Sequence, residues 1–254
     1  MKNKIDILGV QIDATNLNLA CQTIESWVRD RKKSYICVAP VSTVMECQKD
    51  EHYRKIVNKA QMITPDGMPI VWLGRLAGNT TIERTYGPDL MLAMCRICAE
   101  NGFKIFLYGG TQETCQQLEL NLLAKFPKLN IVGLFSPPFR PLSDEENQRM
   151  IQEINKMNPD ILWVGLGSPK QDIWMYTNRD KLDVPVMVGV GAAFDFLSGN
   201  KIQAPRWIQR SGLEWLFRLC CEPRRLWRRY LIGNPMFLCL LLKDCLRKKI
   251  QLHT

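Results

Sequence analysis

Short apolar runs alternate along the first 200 residues with longer stretches whose apolar side chains recur every three or four positions. The runs at residues 5–10, 35–39, 62–64, 104–108, 130–134, 161–164 and 184–188 predict β-strands. The stretches at residues 16–30, 89–100, 111–126 and 143–157 predict amphipathic helices, and Ser143 with Glu146 has the spacing of a capping box. With helices in the remaining gaps, the alternation predicts an α/β fold built on a largely parallel sheet. Pro137, Pro138 and Pro141 mark a turn-rich loop between a strand and a helix. No internal repeat or low-complexity segment interrupts the pattern.

The pattern changes near Ala204-Pro205. Beyond it Trp207, Ile208, Leu213, Trp215, Leu216, Phe217, Leu226, Trp227, Tyr230 and Leu231 interleave with Arg218, Arg224, Arg225, Arg228 and Arg229, and residues 236–242 carry no polar side chain. Charge follows the same division. Residues 201–254 hold 12 Lys and Arg against 3 Asp and Glu, a net of +9, while residues 1–200 hold 22 of each sign. The expectation is an α/β core at residues 1–200 and a basic, amphipathic appendage at residues 201–254. Cations interleaved with Trp and Leu suit an anionic, partly apolar partner, such as an anionic membrane surface.

At 254 residues and 46% hydrophobic content the chain can bury a full core, which sets disorder aside. The first apolar stretch is broken by Asp6 and Asp13 and is too short for a signal peptide. The seven residues 236–242 fall far short of the roughly 20 that span a bilayer. These features predict a cytoplasmic protein with peripheral membrane contact. The ten cysteines are scattered, and Cys37, Cys95 and Cys220 sit in apolar segments, as reduced and mostly buried thiols do. Cys95-Arg-Ile-Cys98 has the spacing of a metal or redox pair but lies within a predicted helix with no second pair nearby. With His52 and His253 the only histidines, neither a histidine metal site nor a Ser-His-Asp triad is expected. No metal and no cofactor are predicted.

In open parallel sheets ligands bind beyond the carboxyl ends of the strands. Four segments fall there: Thr64-Pro-Asp-Gly-Met-Pro69, Tyr108-Gly-Gly-Thr111, Val164-Gly-Leu-Gly-Ser-Pro-Lys-Gln171 and Val188-Gly-Val-Gly-Ala-Ala-Phe-Asp195. Glycines such as Gly109, Gly110, Gly167 and Gly191 either let the backbone approach a ligand, beside helix N-termini suited to phosphate, or only make tight turns. Neither a dinucleotide fingerprint nor a Walker sequence is present, which counts against a nicotinamide-dependent dehydrogenase. Asp66 reads as a turn or cap residue, or as a general base taking a proton from a sugar hydroxyl. Asp195 is an equally placed second carboxylate. Arg84 binds a diphosphate or pairs with Asp89. No Asp-x-Asp occurs, so an enzyme expelling a nucleoside diphosphate would rely on Arg, Lys or helix N-termini rather than a carboxylate-bound metal. Arg218, Arg225 and Arg228, spaced by seven and three, share one face of a continuous helix unless Pro223 breaks the register. The alternative is a solvated cationic face.

Thr64-Pro-Asp-Gly-Met-Pro69, Arg84 with Tyr86-Gly-Pro-Asp89, Gly165-Leu-Gly-Ser-Pro-Lys-Gln171, Gly189-Val-Gly-Ala192 with Phe194-Asp195, Gly212-Leu-Glu-Trp215 and Glu222-Pro-Arg-Arg225 together resemble the WecG/TagA/CpsF glycosyltransferases, with wording closer to exopolysaccharide members. The resemblance runs from about Ile5 to Leu238. It implies a Rossmann-like α/β core whose C-terminal appendage touches the membrane and closes the active site. It also implies transfer of an N-acetylmannosamine-type sugar or related hexose from a UDP-sugar to a polyprenyl-diphosphate-linked sugar at the inner membrane face. Residue by residue, Asp66 becomes the candidate base, Arg84 and Gln171 line the donor and acceptor pocket, with Lys170 beside them, and Arg218, Arg225 and Arg228 reach the diphosphate. The chain departs from the family where many members have Thr followed closely by Asn. It reads Ala39-Pro-Val-Ser-Thr43 there, so Ser42 or Thr43 takes that place. A homo-oligomer is compatible with the sequence. The rival reading is a non-enzymatic nucleic-acid-binding protein using the basic tail, since Arg with Trp also suits single strands. The apolar run at residues 236–242 and the absence of a nucleic-acid motif count against it.

Overall fold

The computed structural model describes residues 4–140 and 142–251, with side chains described as far as residue 246. Pro141 and His253 lie outside the described residues. The first predicted strand is two strands. β1 (Lys4–Ile7) and β2 (Val10–Asp13) form an antiparallel hairpin apart from the main sheet. Leu8 and Gly9 turn the chain with φ of 53° and 81°, the paired positive values of a tight hairpin turn. The apolar run hides this turn because Leu8 stands where Asn or Asp is usual.

There follow α1 (Leu17–Arg29), β3 (Ser34–Ala39), α2 (Val41–Lys49), α3 (Glu51–Asn58), β4 (Met62–Pro65), α4 (Met68–Leu76), α5 (Gly87–Asn101), β5 (Lys104–Gly109), α6 (Gln112–Lys125), β6 (Asn130–Phe135), α7 (Asp144–Met157), β7 (Ile161–Gly165), α8 (Lys170–Asn178), β8 (Val186–Gly189) and α9 (Ala193–Ser198). Six strands pair in parallel in the order β4-β3-β8-β7-β5-β6. Alternate residues along a strand face opposite layers. Tyr35, Cys37, Phe106, Tyr108, Leu162 and Val164 pack with α2, α3, α7 and α8, while Ile36, Val38, Ile105, Leu107, Ile161 and Trp163 pack with α1, α5 and α6. Burial on both faces is why the strands read as near-continuous apolar runs. Helix starts follow local chemistry: Asn16 and Thr111 accept from backbone N–H groups of their first turns, and Ser143 with Glu146 forms the expected capping box.

The C-terminal segment is helical: α10 (Arg206–Arg210), α11 (Glu214–Cys221), α12 (Pro223–Trp227), a π-helical turn (Arg228–Ile232) and α13 (Gly233–Gln251). It is anchored by Leu226 and Phe237, both buried, and Phe237 joins the core layer that contains α2. The apolar run divides by helical period. Phe237, Leu240 and Leu241 face the core, whereas Met236, Leu238 and Leu242 are exposed by 47%, 60% and 66%. Among the described residues no helix is long and apolar enough to cross a membrane.

Six cysteines are buried, but Cys220 is exposed together with Cys221, Cys239 and Cys245, which corrects the expectation for Cys220. Burial pushes the Cys95 thiol up to about 12, so it is a core side chain. Among the described residues no three His, Cys, Asp or Glu side chains gather as a metal set.

Candidate active site

The carboxyl ends of all six parallel strands open on one cleft of about 1030 Å³. A chamber of about 110 Å³ adjoins it, walled by Val41, Met45, Met68, Pro69, Trp215 and Tyr230. Pro40, Ser42, Asp66, Arg218 and Arg229 line both spaces. The C-terminal helices supply one wall of each.

Asp66 leaves the end of β4 with its N–H donating to the Ala39 carbonyl at 3.2 Å. Gly67 follows at φ 98°, which a side chain would strain, and turns the chain into α4. The Thr85 N–H donates to the Pro65 carbonyl at 2.8 Å, bringing Arg84 beside the same strand end. Arg84 Nε donates to Asp66 Oδ1 at 3.1 Å, and another guanidinium nitrogen lies 2.6 Å from Glu214 Oε2. The guanidinium carbon stands 4.0 Å from the Tyr86 ring centre, a cation–π contact. Burial works against the Arg84 charge, but Asp66 and Glu214 outweigh it and raise its pKa. Burial raises the Glu214 pKa, against the pull of Arg84 and with a further push from Asp66. Arg84 does not pair with Asp89, which is held by Arg206 at 2.7 and 2.8 Å.

Asp195 also lines the large cleft, but it is engaged by Lys201 at 2.8 Å, and Lys201 reaches Glu222 at 3.4 Å. Only Asp66 of the two carboxylates touches both spaces. Arg218 lies with its guanidinium 5.5 Å from the Phe196 ring centre, and Arg225 pairs with Glu222. Arg228 lines neither space and lies over Trp227 instead. Arg229, the next residue, lines both spaces. The continuous helix behind the assignment of Arg228 is broken at Glu222 (φ −134°, ψ 59°), restarts at Pro223 and then widens into the π turn, which moves the inward face by one residue.

Residues 5–251 match the family model described as "Glycosyl transferase WecG/TagA/CpsF family". The chain belongs to that family. It is 29% identical over 201 residues to an N-acetylglucosaminyldiphosphoundecaprenol N-acetyl-beta-D-mannosaminyltransferase of Bacillus subtilis (strain 168), covering 79% of this chain and 76% of the relative. It is 27% identical over 237 residues to a protein of the same description from Staphylococcus aureus (strain NCTC 8325 / PS 47), covering 92% and 91%. Membership in a glycosyltransferase family decides between an enzyme and a nucleic-acid-binding module for the basic tail.

In this WecG/TagA/CpsF member the remaining predicted residues fall into three groups. Ser42, Thr43, Gly110, Gly167, Lys170 and Gly191 line the large cleft, with Gly167 and Gly191 at φ 76° and 51°. Gly109 does not line it: a Cβ there would sit 2.6 Å from the Gly165 backbone, so its missing side chain serves strand packing. Gln171 lines the cleft but is 2% exposed, and its amide is spent on the loop, accepting from Gly167 N–H at 3.1 Å and donating to Ser168 Oγ at 3.3 Å. Thr43 Oγ1 and Tyr86 Oη, both buried at the cleft, have no hydrogen-bond partner among the described residues.

Sequence reasoning misses Glu214, Arg229 and Asp172. Glu214 had a signal, being one of three acidic residues in a strongly basic tail. Asp172 is fully buried at the start of α8 and accepts from Tyr53 Oη at 2.7 Å. Burial raises its pKa, against hydrogen bonds from Tyr53, Ser168, Cys37 and Gln171 that favour the charged form. A carboxyl whose folded pKa lies above its unfolded value binds more protons when folded, so stability falls as pH rises above the unfolded value near 3.8. Asp172→Asn removes that loss. Its melting temperature relative to the unaltered protein is therefore expected to climb between pH 4 and pH 8; a constant difference would show that Asp172 folds ionised.

Proposed function

We propose that this chain is an inverting glycosyltransferase that moves a hexose or N-acetylhexosamine, of N-acetylmannosamine type, from a UDP-sugar to a polyprenyl-diphosphate-linked sugar in surface-polysaccharide synthesis. The observation that carries the reading is Asp66 on the wall shared by the two spaces, with Arg218 and Arg229 beside it. The large cleft takes the donor, and the smaller chamber, which mixes apolar walls with Asp66, Arg84, Glu214, Arg218 and Arg229, receives the acceptor. Asp66 accepts the proton of the acceptor hydroxyl, whose oxygen attacks the anomeric carbon as the bond to the UDP oxygen breaks. The negative charge developing on UDP meets Arg218, Arg225 and Arg229 rather than a carboxylate-bound metal. Unpartnered Thr43 Oγ1 and Tyr86 Oη suit hydroxyls of the donor. The printed activity of the two relatives supports the lipid-linked acceptor and the sugar type.

A lipid-linked acceptor requires a chain that works at the inner face of the membrane. Each Lys or Arg near an anionic leaflet contributes about 1 kcal/mol, so four to six give only about millimolar to tens-of-micromolar attachment. Exposed Trp207, Trp227, Met236, Leu238 and Leu242 supply the apolar remainder. Replacing Met236, Leu238 and Leu242 together by Ser is expected to weaken sedimentation with anionic vesicles by about tenfold or more, as their apolar area predicts. Sedimentation equal to the unaltered chain would place the membrane face elsewhere.

The decisive experiment is UDP release across a panel of UDP-hexoses and UDP-N-acetylhexosamines, with and without a polyprenyl-diphosphate-linked sugar in detergent. Release that depends on the lipid acceptor establishes the reaction and names the donor. Absence of release from every pair would overturn the donor and acceptor assignment.

A further inference from the structure

Three sets of ion pairs fasten the C-terminal helices to the body of the protein. Arg206 grips Asp89 at 2.7 and 2.8 Å, Lys201 joins Asp195 and Glu222 at 2.8 and 3.4 Å, and Arg84 meets Glu214 at 2.6 Å. The Arg206 side chain is 63% exposed, which marks that pair as a surface fastening. Arg84 and Glu214 are 14% and 12% exposed, and theirs is the one pair of the three that continues to Asp66. A guanidinium is planar and presents its donors in a rigid fork, so holding one edge fixes the direction of the other. Here a buried ion pair with Glu214 holds one terminal nitrogen, Asp66 accepts from Nε, and the Tyr86 ring covers a face. Glu214 is the first residue of α11, the helix that also carries Arg218.

We propose that Glu214 is a positioning residue: seating α11 fixes Arg84, and Arg84 in turn aims the Asp66 carboxylate, so the base is aligned only when the helix bringing Arg218 is in place. This rests on the reading of Asp66 as the base. With α11 unseated, Arg84 is free to turn and Asp66 loses its fixed direction, so a bound donor meets neither an aligned base nor Arg218. The donor is then protected from attack by water when no acceptor has been engaged. Glu214 thus ties the site's readiness to the position of the helices that meet the membrane.

Full-length Glu214→Ala, Glu214→Gln and Asp89→Ala separate alignment from attachment. Glu214→Ala is expected to lower kcat by about 10- to 100-fold, the scale of a misplaced catalytic group, with KM for the UDP-sugar changed far less. Glu214→Gln, which keeps an acceptor oxygen for Arg84, should recover part of the loss. Asp89→Ala, which removes both acceptors of the surface fastening, should stay within about twofold of the unaltered chain. A readout without substrate is the ¹⁵N resonance of Arg84 Nε–H, assigned with Arg84→Lys: slowly exchanging in the unaltered protein and fast in Glu214→Ala. Unchanged kcat in Glu214→Ala, or an Arg84 Nε–H that exchanges as slowly as before, overturns the proposal. If Asp66→Asn itself turns over normally, the reading of the base falls, while the Arg84 resonance still decides whether Glu214 sets the guanidinium.

Discussion

Asp66→Asn is expected to bind UDP almost as well as the unaltered chain and to turn over about 100-fold more slowly or worse, the usual size of a general-base contribution. The substitution is isosteric. An amide oxygen at the Oδ1 position still accepts from Arg84 Nε, now 3.1 Å away, so the ion-pair scaffold with Glu214 keeps its shape. What disappears is the capacity to take a proton from the acceptor hydroxyl. Calorimetric titration with UDP reports the first quantity, and single-turnover transfer to the lipid-linked sugar reports the second. Normal turnover in Asp66→Asn would remove this carboxylate from the mechanism and bring Asp195 forward, although Lys201 already engages it at 2.8 Å.

The second large effect belongs to the arginines. Arg229 has its pKa pushed down by desolvation and by its neighbours Arg218 and Arg225, against a pull from Tyr230. Cations crowded in this way gain from an anion between them, and a diphosphate is such an anion. A hydrogen bond to a charged group contributes about 1.5–3 kcal/mol, so Arg218→Ala and Arg229→Ala should each weaken UDP binding by about 10- to 150-fold. Arg225→Ala should cost less, because that side chain is already paired with Glu222. Arg228→Ala should bind UDP normally, since Arg228 lies over Trp227 outside both spaces. Equal damage from Arg228→Ala and Arg229→Ala would contradict the break at Glu222 and the π turn that follows it.

The contrast between Arg228 and Arg229 shows where reading the sequence stops. Strands β3, β4, β5, β7 and β8 were legible because both faces of the sheet are buried there, so their apolar runs carry no competing pattern. The turn at Leu8 and Gly9 was not, because its conformation comes from the pairing of β1 with β2 rather than from a turn-favouring residue. Short helices such as α2 and α4 lack a side-chain cap that would announce them. At the site, Asp66 and the cleft glycines could be located because they follow strand ends directly, and Ser42 through the family resemblance. Glu214 and Arg229 could not be assigned a role: their positions depend on how four helices and a π turn lie across the cleft, a tertiary path with no local period. Gln171 lines the cleft as the motif implies, and its amide also holds its own loop, a second role that only the folded geometry reveals.

The place of β8 in the sheet has a consequence for how the protein is made. β8 is the last of the six strands to leave the ribosome, yet it lies between β3 and β7. Until residue 186 emerges no strand can join β3 and β4 to β5, β6 and β7, and the strand edges that β8 covers have no partner. Open edges invite pairing with other chains, and exposed partly folded surface favours aggregation during synthesis. A message cut short before this strand would therefore yield an aggregation-prone fragment for the cell's proteases, and not a smaller, weaker enzyme.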